Sequence, residues 1–310
     1  MEAENYENSL DSAFRKQEGI FYSSEIVAQY LVNQAVGEYL LESKNLFEDL
    51  QKITILDPSC GAGVFLLTTF DYLLQFYQKH FPKFSDLESI KKHIIENNLF
   101  AVDLDIQAVE IAKKQLFEKS NYFSNNIKRG NSLIDDPKIT EWAFDWKKQF
   151  PNIKNGFDIV IGNPPYVRAD LDDAQYQKER KWITEHYEFL YEKWDLMTAF
   201  YERALKFLLK KEGAFSFISS NAINTSKYAE KLQKWMCENF DIKSIDYFEN
   251  IEVFEGVGVI PTIIAIKKAP PKDRIKKNYH KNEFGNITSE ILDLTKVINK
   301  QAKIFRQQYE

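Results

Sequence analysis

The residues best suited to chemistry lie in the stretch from position 157 to position 166. It reads FDIVIGNPPY. Its first half is apolar and rich in β-branched residues, which is typical of a buried strand. Pro164 and Pro165 cannot donate hydrogen bonds to a neighbouring strand, so the strand must end there. The sequence therefore predicts a stiff turn at a sheet edge that presents the Asn163 amide, a proline carbonyl and the Tyr166 ring.

A second group of candidate residues follows an earlier predicted strand. That strand is expected over 52–57 and ends at Asp57, and a turn with Gly61 and Gly63 then leads into a predicted helix. A strand, a turn of small residues and a helix form the first unit of a nucleotide-binding α/β fold. A carboxylate before the turn would repel a phosphate and attract an ammonium group. This favours S-adenosylmethionine over a dinucleotide as the ligand.

The ends of the next two predicted strands carry further candidates. Asp103 ends an apolar strand that starts at Leu99, and this position favours a hydrogen bond to ribose hydroxyls. Asp105 is expected to cap a helix over 106–120. Asn131 follows the third strand, and its amide suits either the edge of an adenine or an ordinary turn. Spacing alone does not separate these two interpretations.

Composition places the chain among globular proteins and excludes several classes. It has 310 residues, of which 44% are hydrophobic and 28% charged, with a formal net charge of −5. Its two cysteines cannot form a disulfide framework, and neither they nor the four histidines show metal-ligand spacing. We therefore expect no metal and a reducing, cytoplasmic location. No signal peptide or membrane-spanning run is evident, and the negative charge requires any nucleic-acid surface to be local.

The rest of the chain predicts more elements of the same fold and then a tail. Further helices are expected over 24–44, 194–211 and 228–240, and further strands over 214–219, 242–248 and 262–267. The polar segment between Tyr166 and Glu185 suits either a lid or a solvated helix.

The tail differs from the rest in charge. Residues 265–310 contain 11 Lys and Arg against 5 Asp and Glu, a net charge of +6 (11 − 5). Two prolines at 270 and 271 interrupt the pattern, and apolar residues between 291 and 298 have helical spacing. The predicted parts are an N-terminal helical segment over 1–50, a catalytic domain over 51–268 and a basic helical tail over 269–310.

With these motifs in place, the sequence resembles the gamma-class, NPPY-type N6-adenine DNA methyltransferases of restriction-modification systems. The resemblance covers about residues 14–268 and includes six motifs in that family's order. They lie at 19–24, 57–65, 101–105, 130–133, 163–166 and 252–256. The implied fold is α/β, the Rossmann-like S-adenosylmethionine-dependent methyltransferase fold. Its mostly parallel sheet has seven strands, one of them antiparallel. One departure is Asn131, which stands where many relatives have Asp.

The resemblance also implies a role for each motif. Asn163 and Pro164 are expected to accept hydrogen bonds from the N6 amine of a flipped-out adenine, and Tyr166 and Phe254 to stack on that base. The residues expected to contact the cofactor S-adenosylmethionine are Tyr22, Ser23, Asp57, Ser59, Gly61, Gly63, Asp103, Leu104, Asn131, Ser132 and Pro165.

The implied function is site-specific methylation of adenine N6 in double-stranded DNA. The alternatives are methylation of a glutamine side chain in release factors, methylation of adenine in RNA, and a non-catalytic subunit that keeps the fold. Gamma-class enzymes usually carry a separate target-recognition domain beyond the position where this chain ends. We therefore expect either a fragment of a longer protein or a subunit whose partner chooses the DNA site.

Overall fold

Nine strands form one mixed sheet in the computed structural model. The structure describes residues 24–83, 86–166, 173–249, 251, 253–254, 259–295 and 300–305. In chain order the strands are β1 (Ile55–Asp57), β2 (Leu99–Asp103), β3 (Ile127–Arg129), β4 (Phe157–Gly162), β5 (Leu209–Ser220), β6 (Asp241–Glu249), β7 (Pro261–Lys267), β8 (Arg274–Lys281) and β9 (Ile287–Asp293). Their order across the sheet is β3-β2-β1-β4-β5-β7-β6-β8-β9.

The first seven strands form the predicted methyltransferase sheet. Strands β1 to β5 pair in parallel, whereas β7 runs antiparallel to both β5 and β6. The central strands are apolar and buried, as expected for a parallel sheet covered on both faces. Because β1 to β4 are adjacent and parallel, their carboxyl ends share one edge of the sheet.

Helices flank this sheet along the chain. They are α1 (Glu25–Val32), α2 (Glu38–Leu41), α3 (Leu46–Lys52), α4 (Val64–His80), α5 (Leu87–His93), α6 (Ile106–Ser120), α7 (Trp146–Gln149), α8 (Ala174–His186), α9 (Leu196–Glu202), α10 (Ala222–Thr225), α11 (Glu230–Asn239) and α12 (Lys300–Phe305). Wider π-type turns extend three of them over 33–37, 94–98 and 203–208. None of the described helices combines the length and apolar character needed to cross a membrane.

Helix α6 shows how local sequence sets the boundaries of an element. The Asp105 carboxylate accepts a hydrogen bond from the Gln107 backbone N–H at 2.8 Å and so caps the helix. The helix ends at Asn121, which adopts a left-handed conformation with φ of 66°. Val109 and Leu116 are fully buried, so this helix packs its apolar face on the core. The predicted helix over 106–120 and its Asp105 cap are confirmed.

Two predicted boundaries before and within β5 are wrong. The helical segment that includes α9 ends at residue 208 rather than 211, and β5 begins at Leu209 rather than at residue 214. The pairing of β5 with β4 shifts in register near this point. An added Cβ at Gly213 would lie 2.8 Å from the Asp158 carbonyl oxygen. Gly213 therefore allows β5 to approach β4 closely.

The predicted helical tail is also wrong for most of its length. Strand β8 pairs in parallel with β6, and β9 pairs antiparallel with β8, so the tail extends the sheet by two strands. Ile291, which suggested a helix, lies in β9, because short apolar runs fit both periodicities. Helix α12 packs on α11, where the Gln301 amide donates to the Glu230 carbonyl at 2.9 Å.

A buried polar network joins this extension to the rest of the fold. The Asp246 carboxylate in β6 accepts hydrogen bonds from the Tyr30 hydroxyl, from Asn278 Nδ2 at 3.1 Å and from His280 Nε2 at 3.1 Å. The Gly285 backbone N–H donates to His280 Nδ1 at 3.2 Å, so Nε2 is the nitrogen that carries a proton. The network ties α1 to both β6 and β8 and leaves its carboxylate well satisfied.

Candidate active site

Four strand ends bring together the residues that the sequence marked as candidates. Asp57 ends β1, Asp103 ends β2, Asn131 lies two residues after β3, and Asn163 directly follows β4. Ligands bind at this edge in open α/β sheets. The site is thus assembled from four separate parts of the chain.

Asp57 stands out at this edge because one of its oxygens is buried and unsatisfied. Its side chain is 1% exposed, and Oδ1 accepts the Ser59 backbone N–H at 3.0 Å. Oδ2 has no hydrogen-bond partner among the described residues. Burial raises the pKa of Asp57 to about 8; the Ser59 N–H lowers it and the charge of Asp103 raises it further. An unsatisfied buried polar atom costs about 1–3 kcal/mol, so this oxygen suits a cationic partner from a ligand.

A glycine brings β4 unusually close to Asp57. Gly162 has a φ of +154°, and an added Cβ there would lie 2.6 Å from Asp57 Oδ1. Only glycine lets the backbone pass the carboxyl group at this distance. The turn that follows stays near the β1 loop, where Ser59 Oγ donates to the Asn163 carbonyl at 3.4 Å. The Asp57 carboxyl group and the NPPY turn therefore lie side by side.

The turn after β1 is held by the acid at the end of β2. Gly61 and Gly63 have positive φ angles of 51° and 93°. The Gly61 N–H donates to Asp103 Oδ2 at 2.7 Å, and Oδ1 of the same residue accepts the Asp105 N–H at 2.9 Å. An added Cβ at Gly63 would meet the Ala112 side chain at 2.8 Å. Burial raises the pKa of Asp103, although its backbone hydrogen bonds oppose this shift.

Asn131 forms an ordinary turn, which is one of the two interpretations that its sequence position allows. Its Oδ1 accepts the Leu133 N–H at 3.0 Å, and its Nδ2 donates to Glu179 Oε2 at 3.3 Å. Next to it, Ser132 Oγ donates to the Pro58 carbonyl at 2.6 Å and fastens this loop to the β1 turn. A contact between Asn131 and an adenine stays a prediction.

The NPPY turn is closed by its own tyrosine. The Tyr166 hydroxyl donates to Asn163 Oδ1 and, at 3.4 Å, to the Ile218 carbonyl. Burial raises the pKa of Tyr166, so the phenol stays a donor at neutral pH. The Tyr166 and Phe254 rings touch edge to face, with centroids 6.4 Å apart and an interplanar angle of 62°. An edge-to-face pair has no flat slot between its rings, so the two must separate before a base can stack between them.

Comparison with known proteins identifies the family. The sequence profile of the Eco57I restriction-modification methylase family matches residues 97–254, about half of the chain. The chain belongs to this family. The match includes β2, β3, β4 and the NPPY turn, and it confirms the family that the motifs predict.

Curated relatives of this Eco57I-family chain are longer proteins. The Type II methyltransferase M.BstVI of Geobacillus stearothermophilus is 27% identical over 260 residues, which cover 83% of this chain and 43% of the relative. The Type II restriction enzyme and methyltransferase RM.Eco57I of Escherichia coli is 22% identical, with coverage of 78% and 27%. The chain thus spans less than half the length of these relatives.

Solved structures that share the fold include a restriction-modification enzyme. The Type IIL restriction-modification enzyme MmeI, solved in complex with DNA, is 18% identical with a TM-score of 0.65, covering 93% of this chain and 42% of MmeI. A DrdV–DNA complex is 16% identical with a TM-score of 0.66, covering 99% of this chain and 33% of DrdV. The predicted methyltransferase fold is confirmed.

The structure places most of the predicted site residues of this family member at one edge. Leu104, directly after β2, is 46% exposed there. Tyr22 and Ser23 lie outside the described residues. The others that the structure brings to the edge are Asp57, Ser59, Gly61, Gly63, Asp103, Asn131, Ser132, Asn163, Pro164, Pro165 and Tyr166, with Phe254 against Tyr166. The role of each stays a prediction.

Two further contacts near the edge were not visible in the sequence. The Arg129 guanidinium lies 3.1 Å from the centre of the Trp142 ring, and its Nε donates to the Leu104 carbonyl at 3.0 Å. Glu179 in α8 reaches Asn131 from 48 residues away. Both contacts depend on tertiary structure, and no local spacing signals them.

Proposed function

We propose that this chain is the catalytic part of a DNA methyltransferase. It would transfer a methyl group from S-adenosylmethionine to N6 of an adenine in double-stranded DNA. The observation that carries the proposal is the buried, unsatisfied carboxyl group of Asp57 directly beside the NPPY turn. Membership in the Eco57I restriction-modification methylase family and relatives named Type II methyltransferases support it.

The residues at the edge fit S-adenosylmethionine. Asp57 Oδ2 suits the ammonium group of the methionine half, which would supply its missing partner. An added Cβ at Gly61 would meet nothing within 4 Å, so this turn leaves open space before its backbone. Asp103 ends β2, a position where acids bind ribose hydroxyls in related folds. Asn131 follows β3 and would contact the adenine of the cofactor. When bound, the cofactor supplies an electrophilic methyl group.

The acceptor half of the reaction relies on two oxygens of the NPPY turn. The exocyclic amine of adenine is a poor nucleophile, because its lone pair is delocalised into the ring, and the base must leave the duplex to be reached. Asn163 Oδ1 and the Pro164 carbonyl would each accept one N6 hydrogen bond and draw the nitrogen towards tetrahedral geometry. Pro164 has a fixed φ, so its carbonyl is held in place before the base arrives.

The incoming base must first compete with Tyr166. The tyrosine hydroxyl donates to Asn163 Oδ1, and the adenine amine would replace it as the donor. Such an exchange of one hydrogen bond for another changes the free energy by little. The Tyr166 ring, once turned away from Phe254, would then offer its face to the base.

A separate unit would choose the DNA site. This chain matches only 39–43% of the length of M.BstVI, M.XhoI and M.BanIII, which supports recognition by a further domain or by a partner subunit. Three basic residues of β8, Arg274, Lys276 and Lys281, are exposed and would contribute only contacts to the DNA phosphate backbone, whereas Lys277 is buried.

Product analysis tests the proposed function. The purified chain is incubated with labelled S-adenosylmethionine and unmethylated plasmid DNA, and the hydrolysed nucleosides are identified by mass spectrometry. We expect N6-methyladenine, without a common flanking sequence when the DNA is sequenced. Asn163→Ala should lower the rate by about 10²–10³-fold and leave cofactor binding intact, since one preorganised acceptor is lost. N4-methylcytosine as the product, or no binding of the cofactor, would contradict the proposal.

A further inference from the structure

Helix α8 follows the NPPY turn in the chain and returns to the loop that carries Asn131. The Lys178 ammonium donates to the Ile139 carbonyl at 3.1 Å. Beyond the helix end, the Tyr187 hydroxyl donates to the Leu133 carbonyl at 2.7 Å. The helix is thus fastened at two points along this loop. The described part of the polar segment after the NPPY turn is therefore a helix, and most of its residues face solvent while Arg180 and Ile183 are buried.

A second set of contacts fixes the inner side of α8. Arg180 is only 8% exposed, and its guanidinium lies 3.6 Å from the centre of the Trp194 ring. Ile183, one turn further, is 3% exposed. These contacts fix the orientation of α8 about its own axis. They therefore also fix the direction in which the neighbouring residue Glu179 points.

Glu179 is the residue of α8 that reaches the strand edge. Its Oε1 accepts a hydrogen bond from Gln175 Nε2 at 2.7 Å, one helical turn earlier. Its Oε2 accepts one from Asn131 Nδ2 at 3.3 Å. The carboxylate is held at both oxygens, and it has acceptor capacity beyond these two bonds, since a carboxylate offers about four lone-pair sites.

This contact also decides which way the Asn131 amide points. Oδ1 takes the Leu133 N–H and Nδ2 faces Glu179, so the oxygen and the nitrogen are distinguished by their partners. The amide nitrogen has two N–H groups, and Glu179 takes one of them. The pair therefore presents a donor on Asn131 next to an acceptor on Glu179, at the end of the strand beside Asp103.

We propose that Glu179 determines the specificity of the cofactor pocket for adenine. Asn131 would donate to the ring nitrogen N1 of the cofactor's adenine, and the Glu179 carboxylate would accept from its 6-amino group. Hypoxanthine presents the reverse pattern, a donor at N1 and an oxygen at position 6, and that oxygen would face the carboxylate. This inference rests on the proposed function, because it requires S-adenosylmethionine at the β1–β4 edge.

Calorimetric titration with two ligands tests the inference. The ligands are S-adenosylhomocysteine and its 6-oxo analogue S-inosylhomocysteine. We expect the wild-type chain to prefer the adenosyl ligand by roughly ten- to hundredfold, the range for a hydrogen bond to a charged group. Glu179→Gln should reduce this preference to about threefold or less, since the new amide can turn to give either a donor or an acceptor.

A matched control separates this role from a change in helix charge. Glu185 lies in the same helix and is exposed, so Glu185→Gln removes the same charge and should keep the wild-type preference. Equal affinity of the wild-type chain for the two ligands would overturn the inference, whether or not the Glu179 variant folds. An unchanged preference in Glu179→Gln would overturn it as well. Failure of the wild-type chain to bind S-adenosylhomocysteine would instead refute the proposed function.

Discussion

The two halves of the strand edge differ in how their key oxygens are satisfied. Asp57 Oδ2, in the half proposed to bind the cofactor, is buried and lacks a hydrogen-bond partner among the described residues. Asn163 Oδ1, in the half proposed to bind the base (the base half), already accepts the Tyr166 hydroxyl. The first half is thus arranged for a ligand that supplies a cation. The second half must exchange a hydrogen bond and separate two rings before it can hold a base.

This difference has consequences for the order of binding. Opening the base half gives up the Tyr166–Phe254 contact, worth about 0.5–1.5 kcal/mol, and exchanges one hydrogen bond. Stacking of a base on an aromatic ring returns about 1–3 kcal/mol. The gain exceeds the loss by only about 0.5–1.5 kcal/mol, less than the few kcal/mol needed to take the base out of the duplex, so base capture depends on the additional contacts of the DNA. We therefore expect the cofactor to bind first, without rearrangement of the NPPY turn.

Among the substitutions that separate the two halves, Asp57→Asn is expected to have the largest effect. Cofactor affinity should fall roughly 30-fold or more, because truncating one partner of a buried charge pair costs about 2–5 kcal/mol. The empty protein should become more stable by about 1–3 kcal/mol at pH 9, since the buried unpaired carboxylate is removed. Calorimetry and denaturant unfolding measure the two effects. Asp71→Asn, at a partly exposed carboxylate paired with Lys119, is the control; a surface ion pair contributes at most about 1 kcal/mol, so stability should change by no more than that and cofactor affinity should not change.

The pH dependence of cofactor binding tests whether Asp57 pairs with the ammonium group of the cofactor. Burial raises the pKa of Asp57 to about 8, and an ammonium partner would lower it. Binding below pH 8 must therefore release a proton, and affinity should rise by up to about tenfold per pH unit towards pH 8 and then level off. Titrations in two buffers of different ionisation enthalpy detect the released proton. A flat profile between pH 6 and pH 8 would refute this assignment.

The stability of the ligand-free protein should fall with rising pH, whereas cofactor affinity should rise. Asp57 has a folded-state pKa raised above its unfolded value, so the folded state binds the proton more tightly. Its contribution to stability is therefore present below about pH 4 and is lost as the pH rises through 8. Asp57→Asn removes this contribution, and the variant and the wild type should differ most above pH 8.

The base half is tested by a pair of smaller effects at Tyr166. Tyr166→Phe keeps the ring and frees Asn163 Oδ1 from the tyrosine hydroxyl, so KM for DNA should hold or fall by a few-fold, with kcat within about threefold. Tyr166→Ala should lower kcat/KM by about 5- to 150-fold, the equivalent of one lost base stack. Equal losses in the two variants would show that the hydroxyl itself is required.

The sequence predicted the parts of the site that depend on local pattern and on strand direction. Asp105 caps α6 as expected, because a capping carboxylate acts on the residues directly after it. Asp57, Asp103 and Asn163 meet because the carboxyl ends of adjacent parallel strands must share an edge. No knowledge of side-chain packing is needed for either result.

Other features depend on tertiary contacts that spacing does not encode. The tail has apolar residues that fit a helix, but pairing of β8 with β6 and the buried bonds of Asp246 favour strands. The contact of Glu179 with Asn131 needs α8 to return over the edge. The sequence placed Tyr166 and Phe254 on either side of a base, whereas in the structure the two rings touch each other.

A crystal structure of the chain with S-adenosylhomocysteine and no DNA tests most directly whether the two halves of the strand edge are independent. We predict that the ligand's ammonium group lies within hydrogen-bond distance of Asp57 Oδ2 while the Tyr166 hydroxyl still donates to Asn163 Oδ1. A ligand that binds away from Asp57 would contradict the account. A broken Tyr166–Asn163 hydrogen bond in that structure would also contradict it, because the two halves would then not be independent.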